Sequence, residues 1–307
     1  MSVLAAGLDY IDLQFLGRRQ LIATAVLHGP AGVALIDPGP STTLQTLESS
    51  LERKAIRFQD VRQILLTHIH LDHAGATGTI LERHPHIQVL VHSLGARHLS
   101  DPSKLLTSAG RLYGQDMDRL WGEVKPVAAD RLHVLDGGET VAVVGRELAV
   151  AYTPGHASHH VCYLDTASRV AFAGDTAGIR RGSGVYVFPA APPPDIDLEA
   201  WRASGERILA WSPDTLFLTH FGPYHGARQQ LQALFDHLDD WSRLVRRLLD
   251  DSSIDDAERE RRFVDAALLE LRRRVGVAEA DDYVRAGGLT YSWQGLARYW
   301  KKRIPKP

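Results

Sequence analysis

The chain has almost no cysteine. Cys162 stands alone among 307 residues, which rules out an internal disulfide and suits a reducing compartment. It lies in the apolar stretch Val161-Cys162-Tyr163-Leu164, the setting of a buried, inert thiol rather than a nucleophile. Long hydrophobic runs are missing too, and nothing approaches the ~18 apolar residues of a membrane span. Met1 to Leu16 lacks a basic start followed by an apolar core, because Asp9 and Asp12 interrupt it, so no signal peptide is expected. An excess of one charge is also lacking. The net charge of -2 gives no general pull toward nucleic acid or anionic membrane. There is no Gly-x-Ser-x-Gly elbow to carry a serine nucleophile and no fixed-period repeat. These absences leave a cytoplasmic protein acting on a small molecule as the expectation. The rest of the composition, 44% hydrophobic and 23% charged, is that of a globular chain with one large domain, or one domain and an appendage.

What is there gathers in one stretch, Ile64-Leu65-Leu66-Thr67-His68-Ile69-His70-Leu71-Asp72-His73-Ala74-Gly75. Ile64 to Thr67 is short, apolar and partly β-branched, which predicts a buried strand. His68 and His70 are two apart, so on an extended backbone they point the same way. Asp72 and His73 follow as the chain turns into a helix from about Ala74 to Arg83. Four potential metal ligands thus sit at the C-terminal end of a strand, where open α/β sheets place their chemistry. Imidazoles with a carboxylate suit zinc, and also iron, manganese or cobalt.

The first half alternates strand and helix. Tyr10–Leu16, Leu21–Leu27, Val33–Ile36 and Ile87–Val91 have strand character, and Leu44, Leu47 and Leu51 mark a helix over Thr42–Lys54. The pattern predicts a layered α/β sheet. Residues 93–122 are an excursion with helices over Leu94–Leu99 and Lys104–Trp121, the second weakened by Gly110 and Gly114. It is a packing insertion, a lid or a contact in a homodimer. Three later apolar strands each lead to a potential ligand next to or close to a glycine: Tyr152-Thr153-Pro154-Gly155-His156, Phe172-Ala173-Gly174-Asp175 and Leu218-Thr219-His220. Beyond them, Leu231, Leu234, Phe235, Leu238, Trp241 and Val245 recur at helical spacing, and 257–274 and 291–301 are similar. The basic tail Lys301-Lys302-Arg303 is too short to argue for nucleic acid.

Taken together and in this order, the four ligand-bearing stretches resemble the motif set of the metallo-β-lactamase-fold hydrolases, over roughly residues 10 to 225. The resemblance implies an α/β fold, a four-layer αββα sandwich, with residues 1–225 as the catalytic domain and 226–307 as a helical C-terminal extension packed on it. It also implies two divalent metal ions, zinc first and iron or manganese as alternatives. His68, His70 and His156 would hold one, Asp72, His73 and His220 the other, and Asp175 would bridge both. Two dications about 3.5–4 Å apart depress the pKa of a shared water toward neutrality, so the bridging hydroxide becomes the nucleophile. Asp72 would hydrogen-bond the attacking water and pass a proton to the leaving group as the catalytic residue. Asp37, in Asp37-Pro38-Gly39, either caps the helix near Ser41 or, as in family members with Asp-x-Gly here, orients a ligand histidine.

Departures from sub-families narrow the expected substrate. True β-lactamases of this fold lack an aspartate at the position matching Asp175. Flavodiiron relatives carry glutamate where His70 stands. Acyl-homoserine-lactone lactonases have a tyrosine three positions after the bridging aspartate, and here that residue is Gly178, so only an inward-folded Tyr186 or Tyr224 would replace it. The extra clamp domain of the RNA-processing relatives is not recognised. Glyoxalase II has the same ligand set and a helical C-terminal segment, but its glutathione-binding residues are not recognised. The expected reaction is hydrolysis of a small ester, lactone or thioester. A phosphodiesterase or phosphotriesterase on the same site is the first rival, and a non-catalytic metal-containing binding protein the second. The stretch Ile179-Arg180-Arg181-Gly182-Ser183-Gly184-Val185-Tyr186-Val187-Phe188 belongs to a loop, 177–197, expected to line the pocket. Arg180 and Arg181 would pair with an anionic substrate group or form a solvated surface pair, and Tyr186 and Phe188 would form an apolar wall. His159, His160 and His225 are expected at the surface or behind the ligands rather than on a metal.

Overall fold

The computed structural model describes residues 1–181, 184 and 186–303. Gly182, Ser183 and Val185 of the expected pocket loop lie outside the described residues. A first sheet runs in chain order through β1 (Ser2–Ala5), β2 (Leu8–Asp12), β3 (Ala23–Gly29), β4 (Gly32–Ile36), β5 (Val61–Leu65), β6 (Gln88–His92) and β7 (Leu132–Leu135). Its first four strands pair antiparallel, and β4 to β7 pair parallel. A second sheet holds β8 (Thr140–Val143), β9 (Arg146–Tyr152), β10 (Val161–Asp165), β11 (Val170–Phe172), β12 (Thr215–Leu218) and β13 (Gly222–Tyr224) in the order β13-β12-β11-β10-β9-β8. Only β11 and β12 are parallel there.

The central strands are apolar on both faces because both faces are covered. In β5, Ile64 faces the outer helices and Leu65 faces the other sheet. In β10, Cys162 and Leu164 face out while Val161 and Tyr163 face in. The outer face of the first sheet is covered by α1 (Leu44–Glu52), α2 (Leu71–Ala74), α3 (Thr77–Arg83), α4 (Ser93–Ser100), α5 (Ser103–Tyr113) and α6 (Met117–Trp121). The outer face of the second is covered by α7 (Leu198–Ala210), α8 (Ala227–Asp250), α9 (Asp256–Val275), α10 (Val277–Gly287) and α11 (Leu289–Lys301). The result is a four-layer αββα sandwich with a helical C-terminal region. Leu216 and Leu218 of β12 share one buried cluster with Leu234 and Trp241 of α8, so the apolar stripe of that helix is core. Among the described residues no helix is long and apolar enough to cross a membrane. Burial pushes the Cys162 thiol up to about 12, consistent with an inert group.

Several boundaries differ from the sequence expectation. The strand expected over Tyr10–Leu16 stops at Asp12, whose carboxylate accepts from the backbone N–H of Gln14 and of Gln20 at 3.1 and 2.9 Å and folds the chain into a turn. The helix expected over Lys104–Trp121 is broken at Gly114, where φ is +52°. Strands β1 and β13 and helix α10 carried no clear signal: the two strands are only 4 and 3 residues long.

Candidate metal centre

Four strand ends meet at one edge of the sandwich. After β5 the chain leaves the sheet and presents His68 and His70, and the short helix α2 then carries Asp72 and His73. His156 follows β9, Asp175 lies in the turn after β11, and His220 follows β12. Gly174 takes φ +48°, and a Cβ there would lie 2.6 Å from both His160 Nε2 and Thr67 Oγ1, so only glycine lets the Asp175 turn come this close. The structure brings all seven predicted residues together. Their donor atoms form three groups, each within 4.8 Å: His68, His70 and His156; Asp72, His73 and His220; and His68, His73 and Asp175.

The geometry within these groups is specific. His70 Nδ1 lies 2.9 Å from His68 Nε2 and 3.1 Å from His156 Nε2. Asp175 faces both sides: Oδ2 is 3.5 Å from His156 Nε2, while Oδ1 is 3.3 Å from His73 Nε2 and 3.6 Å from His220 Nε2. Asp72 Oδ2 is 3.2 Å from His220 Nε2 and 3.7 Å from His73 Nε2.

The other ring nitrogen of most of these histidines is already committed. His156 Nδ1 donates to the Ala190 carbonyl at 3.0 Å, His220 Nδ1 to the Leu21 carbonyl at 2.6 Å, and His73 Nδ1 to Asp37 Oδ2 at 2.8 Å. In the neutral rings those acceptors assign the tautomer, and they turn each Nε2 inward. His68 Nδ1 lies 3.2 Å from the Thr67 hydroxyl, which itself donates to Asp37 at 2.7 Å, so the same wiring applies there. Lone pairs converging in a buried space repel one another unless a proton or a metal cation lies between them. His73 Nε2, His220 Nε2 and Asp175 Oδ1 are buried without a hydrogen-bond partner. Nitrogen and carboxylate donors in this arrangement fit divalent transition metals.

Asp37 does not cap a helix. It is fully buried, and its carboxylate collects the Thr67 N–H at 2.8 Å, the Thr67 and Thr219 hydroxyls at 2.7 and 2.9 Å, and His73. Thr67 and Thr219 were not singled out from the sequence. The signal was present, because each directly precedes a ligand histidine at a strand end. His160 is buried behind the centre between Thr153 and Thr176, and accepts from the Asp175 N–H at 3.2 Å. His159 packs beside His68 with ring centroids 6.1 Å apart, whereas His225 bonds to Thr215 away from the centre.

The two sides of the centre differ electrostatically. Burial, followed by His156, pushes His70 down to about 4, and burial also lowers His68 and His156. Burial works against the charged form of His73 as well, but Asp175, Asp37 and Asp72 outweigh it and hold that imidazole well above its ordinary value. His220 is raised in the same way by Asp175 and Asp72. Asp72 is held at about 2, since His73 and His220 outweigh the cost of its burial.

A cleft of about 840 Å³ opens over His70, Asp72, Asp175 and His220. Tyr113, Trp121 and Tyr291 form part of its wall, so the 93–122 excursion and the C-terminal helices both shape it. The Tyr113 phenol makes no hydrogen bond among the described residues, and burial, then Asp72, hold it well above its ordinary range, so it remains a donor. No local sequence signal marks it. The loop after Asp175 contributes Ile179, Ala190 and Pro192 to the wall. Tyr186 and Phe188 are instead core: Tyr186 stacks on His237 and Phe188 lies edge-on to Trp241, because α8 and α10 cover them. Arg180 bonds Gln230 and stacks over Tyr224 at 3.7 Å, and Arg181 is buried on the Arg19 and Gln20 carbonyls. Neither is a solvated surface pair or an anion grip in the cleft.

The sequence pattern described as the metallo-beta-lactamase superfamily matches residues 19–220, a span that contains all seven converging side chains. A metallo-beta-lactamase fold-containing protein of Sulfurisphaera tokodaii is 31% identical over 206 residues, covering 66% of this chain and 73% of its own. A hydroxyacylglutathione hydrolase of Synechococcus is 30% identical over 189 residues, covering 61% of this chain and 60% of its own. Among solved structures, a metallo-beta-lactamase family protein of Thermus thermophilus matches 97% of this chain and 94% of its own with a TM-score of 0.73 at 23% identity, a likeness of fold. By the pattern it carries across more than half of its length, this chain belongs to the metallo-beta-lactamase superfamily.

Proposed function

We propose that the protein is a dinuclear metal-dependent hydrolase of a small ester, lactone or thioester. The observation that carries this reading is the two-faced Asp175 carboxylate between two sets of inward-pointing donors. His68, His70 and His156 would hold one ion, Asp72, His73 and His220 the other, and Asp175 both, with zinc the first expectation and iron or manganese next. Such ions supply Lewis acidity and lower the pKa of water. The residues of the chain do the rest. Asp72 is the more open of the two carboxylates, with its side chain 21% exposed against 6% for Asp175. Held ionised, it orients the attacking water, accepts its proton and returns it to the leaving oxygen or sulfur. Tyr113 donates from the cleft wall toward developing negative charge, a role open because Gly178 offers no side chain. A thioester is favoured within the class by the relatives named hydroxyacylglutathione hydrolase, such as that of Aeromonas hydrophila, 29% identical over 182 residues.

The test is metal analysis joined to a substrate panel at matched metal loading. Two equivalents of metal, with turnover of thioester or ester well above that of bis-nitrophenyl phosphate, are expected. Preferential phosphodiester cleavage would install the phosphoesterase reading. Full metal content with no turnover across the panel would make this a metal-containing binding protein.

A further inference from the structure

A second pocket, of about 350 Å³, opens beside the metal centre. It is built on the face of the 93–122 excursion that meets the metal loop. Ile69 and Leu71 form one wall, and Leu105, Ala109 and Leu112 of α5 form another. The helix α4 lies close because Gly95 has no side chain: a Cβ there would come 2.9 Å from Ile69 Cγ2 and 3.2 Å from Val91 Cγ2. That approach brings Leu94 to the pocket with 38% of its surface exposed, an apolar group left to water.

The pocket and the main cleft are neighbours that share four lining residues. His70, Leu112, Tyr113 and Pro192 line both. His70 is the one converging donor residue shared by the two spaces. Both spaces are mixed in character, and the smaller one sets Ile69, Leu71, Leu94, Leu105, Ala109 and Leu112 beside His70. Charged groups line the smaller pocket as well. Arg97 bonds His98 at 3.2 Å, Lys104 has no ion pair among the described residues, and Asp195 opposite accepts from the Ser158 hydroxyl at 2.6 Å.

We propose that this pocket is the chain-binding subsite, taking an unbranched apolar substituent on one side of the scissile bond while the other half of the substrate lies in the main cleft. The inference rests on the hydrolase reading and extends it to a substrate class: esters or thioesters with a medium-length aliphatic chain. The volume lies at the small end of the ~300–1,000 Å³ range of ligand sites, which suits one chain and not a cofactor. Each methylene moved from water into such a pocket is expected to raise kcat/KM about fourfold until the pocket is full.

The experiment uses the metal-loaded full chain and two series. One lengthens the acyl group, from para-nitrophenyl acetate to octanoate. The other lengthens the leaving group, from acetyl thioesters of ethanethiol to those of octanethiol. Rates are compared with those of Ala109→Trp and Ser108→Trp, which fill the pocket. Ser108 lies on the exposed face of α5, so its variant remains informative if Ala109→Trp does not fold. In one series the octyl-to-short ratio should rise steeply in the parent protein and fall at least tenfold in the variants, which also identifies the side of the bond. Turnover with flat profiles in both series would overturn the subsite and leave the hydrolase reading standing. Absence of all turnover would sink the hydrolase reading. Calorimetric binding of octanamide then decides the pocket: binding lost in Ser108→Trp supports it, and equal binding in parent and variant overturns it.

Discussion

His68, His70 and His156 face one another with no carboxylate of their own, while His73 and His220 each lie against Asp72 and Asp175. The first set is kept neutral by burial, which neighbouring histidines reinforce at His68 and His70 and Asp175 opposes at His156. The second set is drawn toward the protonated form by carboxylates. The same residue type is thus prepared in two ways within one centre. A cation entering the first set meets free lone pairs at neutral pH, whereas one entering the second must displace protons. Asp175 couples the two because its oxygens face opposite sides.

The severest way to break this comparison is to remove the coupling. Asp175→Ala is expected to lose metal from both sets and abolish turnover together, measured by metal content and substrate assay. Normal activity in that variant would reject the bridging role. Next comes Asp72→Asn, which alters only the carboxylate-rich side. Turnover should fall by about 10²–10⁴-fold, the range of general acid–base contributions, while the thermal midpoint stays close to that of the parent. An unaltered rate would remove Asp72 from the proton-transfer step.

Asp37→Asn tests the support rather than the ligands. Asp37 fixes His73 directly and reaches His68 only through Thr67, so one metal equivalent should weaken by about 10–100-fold and the other by less. Titration with a competing chelator reads this, and equal weakening of both equivalents would erase the difference between the two sets. The smallest expected effect is in the metal-free protein. His68, His70 and His156 have folded-state pKa values below the ordinary 6.5. The unfolded chain therefore binds more protons between pH 6.5 and about 4, and stability is lost as pH falls through that window. His73 and His220 are raised, so their contribution is present below 6.5 and lost as pH rises above it. The metal-free thermal midpoint should therefore peak near pH 6.5 and fall on both sides. A midpoint that climbs steadily through pH 8 would contradict the protonation of His73 and His220.

The site was more legible than the walls around it. The converging residues follow short apolar strands, so an abrupt change from aliphatic to histidine or aspartate marks them locally. The Thr-His pairs at 67–68 and 219–220 carried the same kind of signal for the groups behind the ligands. Arg180, Arg181, Tyr186 and Phe188 were placed in the pocket by their nearness to Asp175 in sequence, yet α8 and α10 pack over three of them and Arg181 turns back to Gln20. Tyr113 was invisible because nothing local distinguishes a cleft tyrosine from a packed one at mid-chain.

Residue type and short-range periodicity were enough to pick out the seven residues that converge, their order along the chain and the alternation that builds two covered sheets. Which ring nitrogen faces inward, which groups Asp37 holds, and where the second pocket opens became visible in the folded chain alone. These depend on contacts between segments more than thirty residues apart, such as His73 with Asp37 and His220 with Leu21, and no local pattern encodes the distance between them.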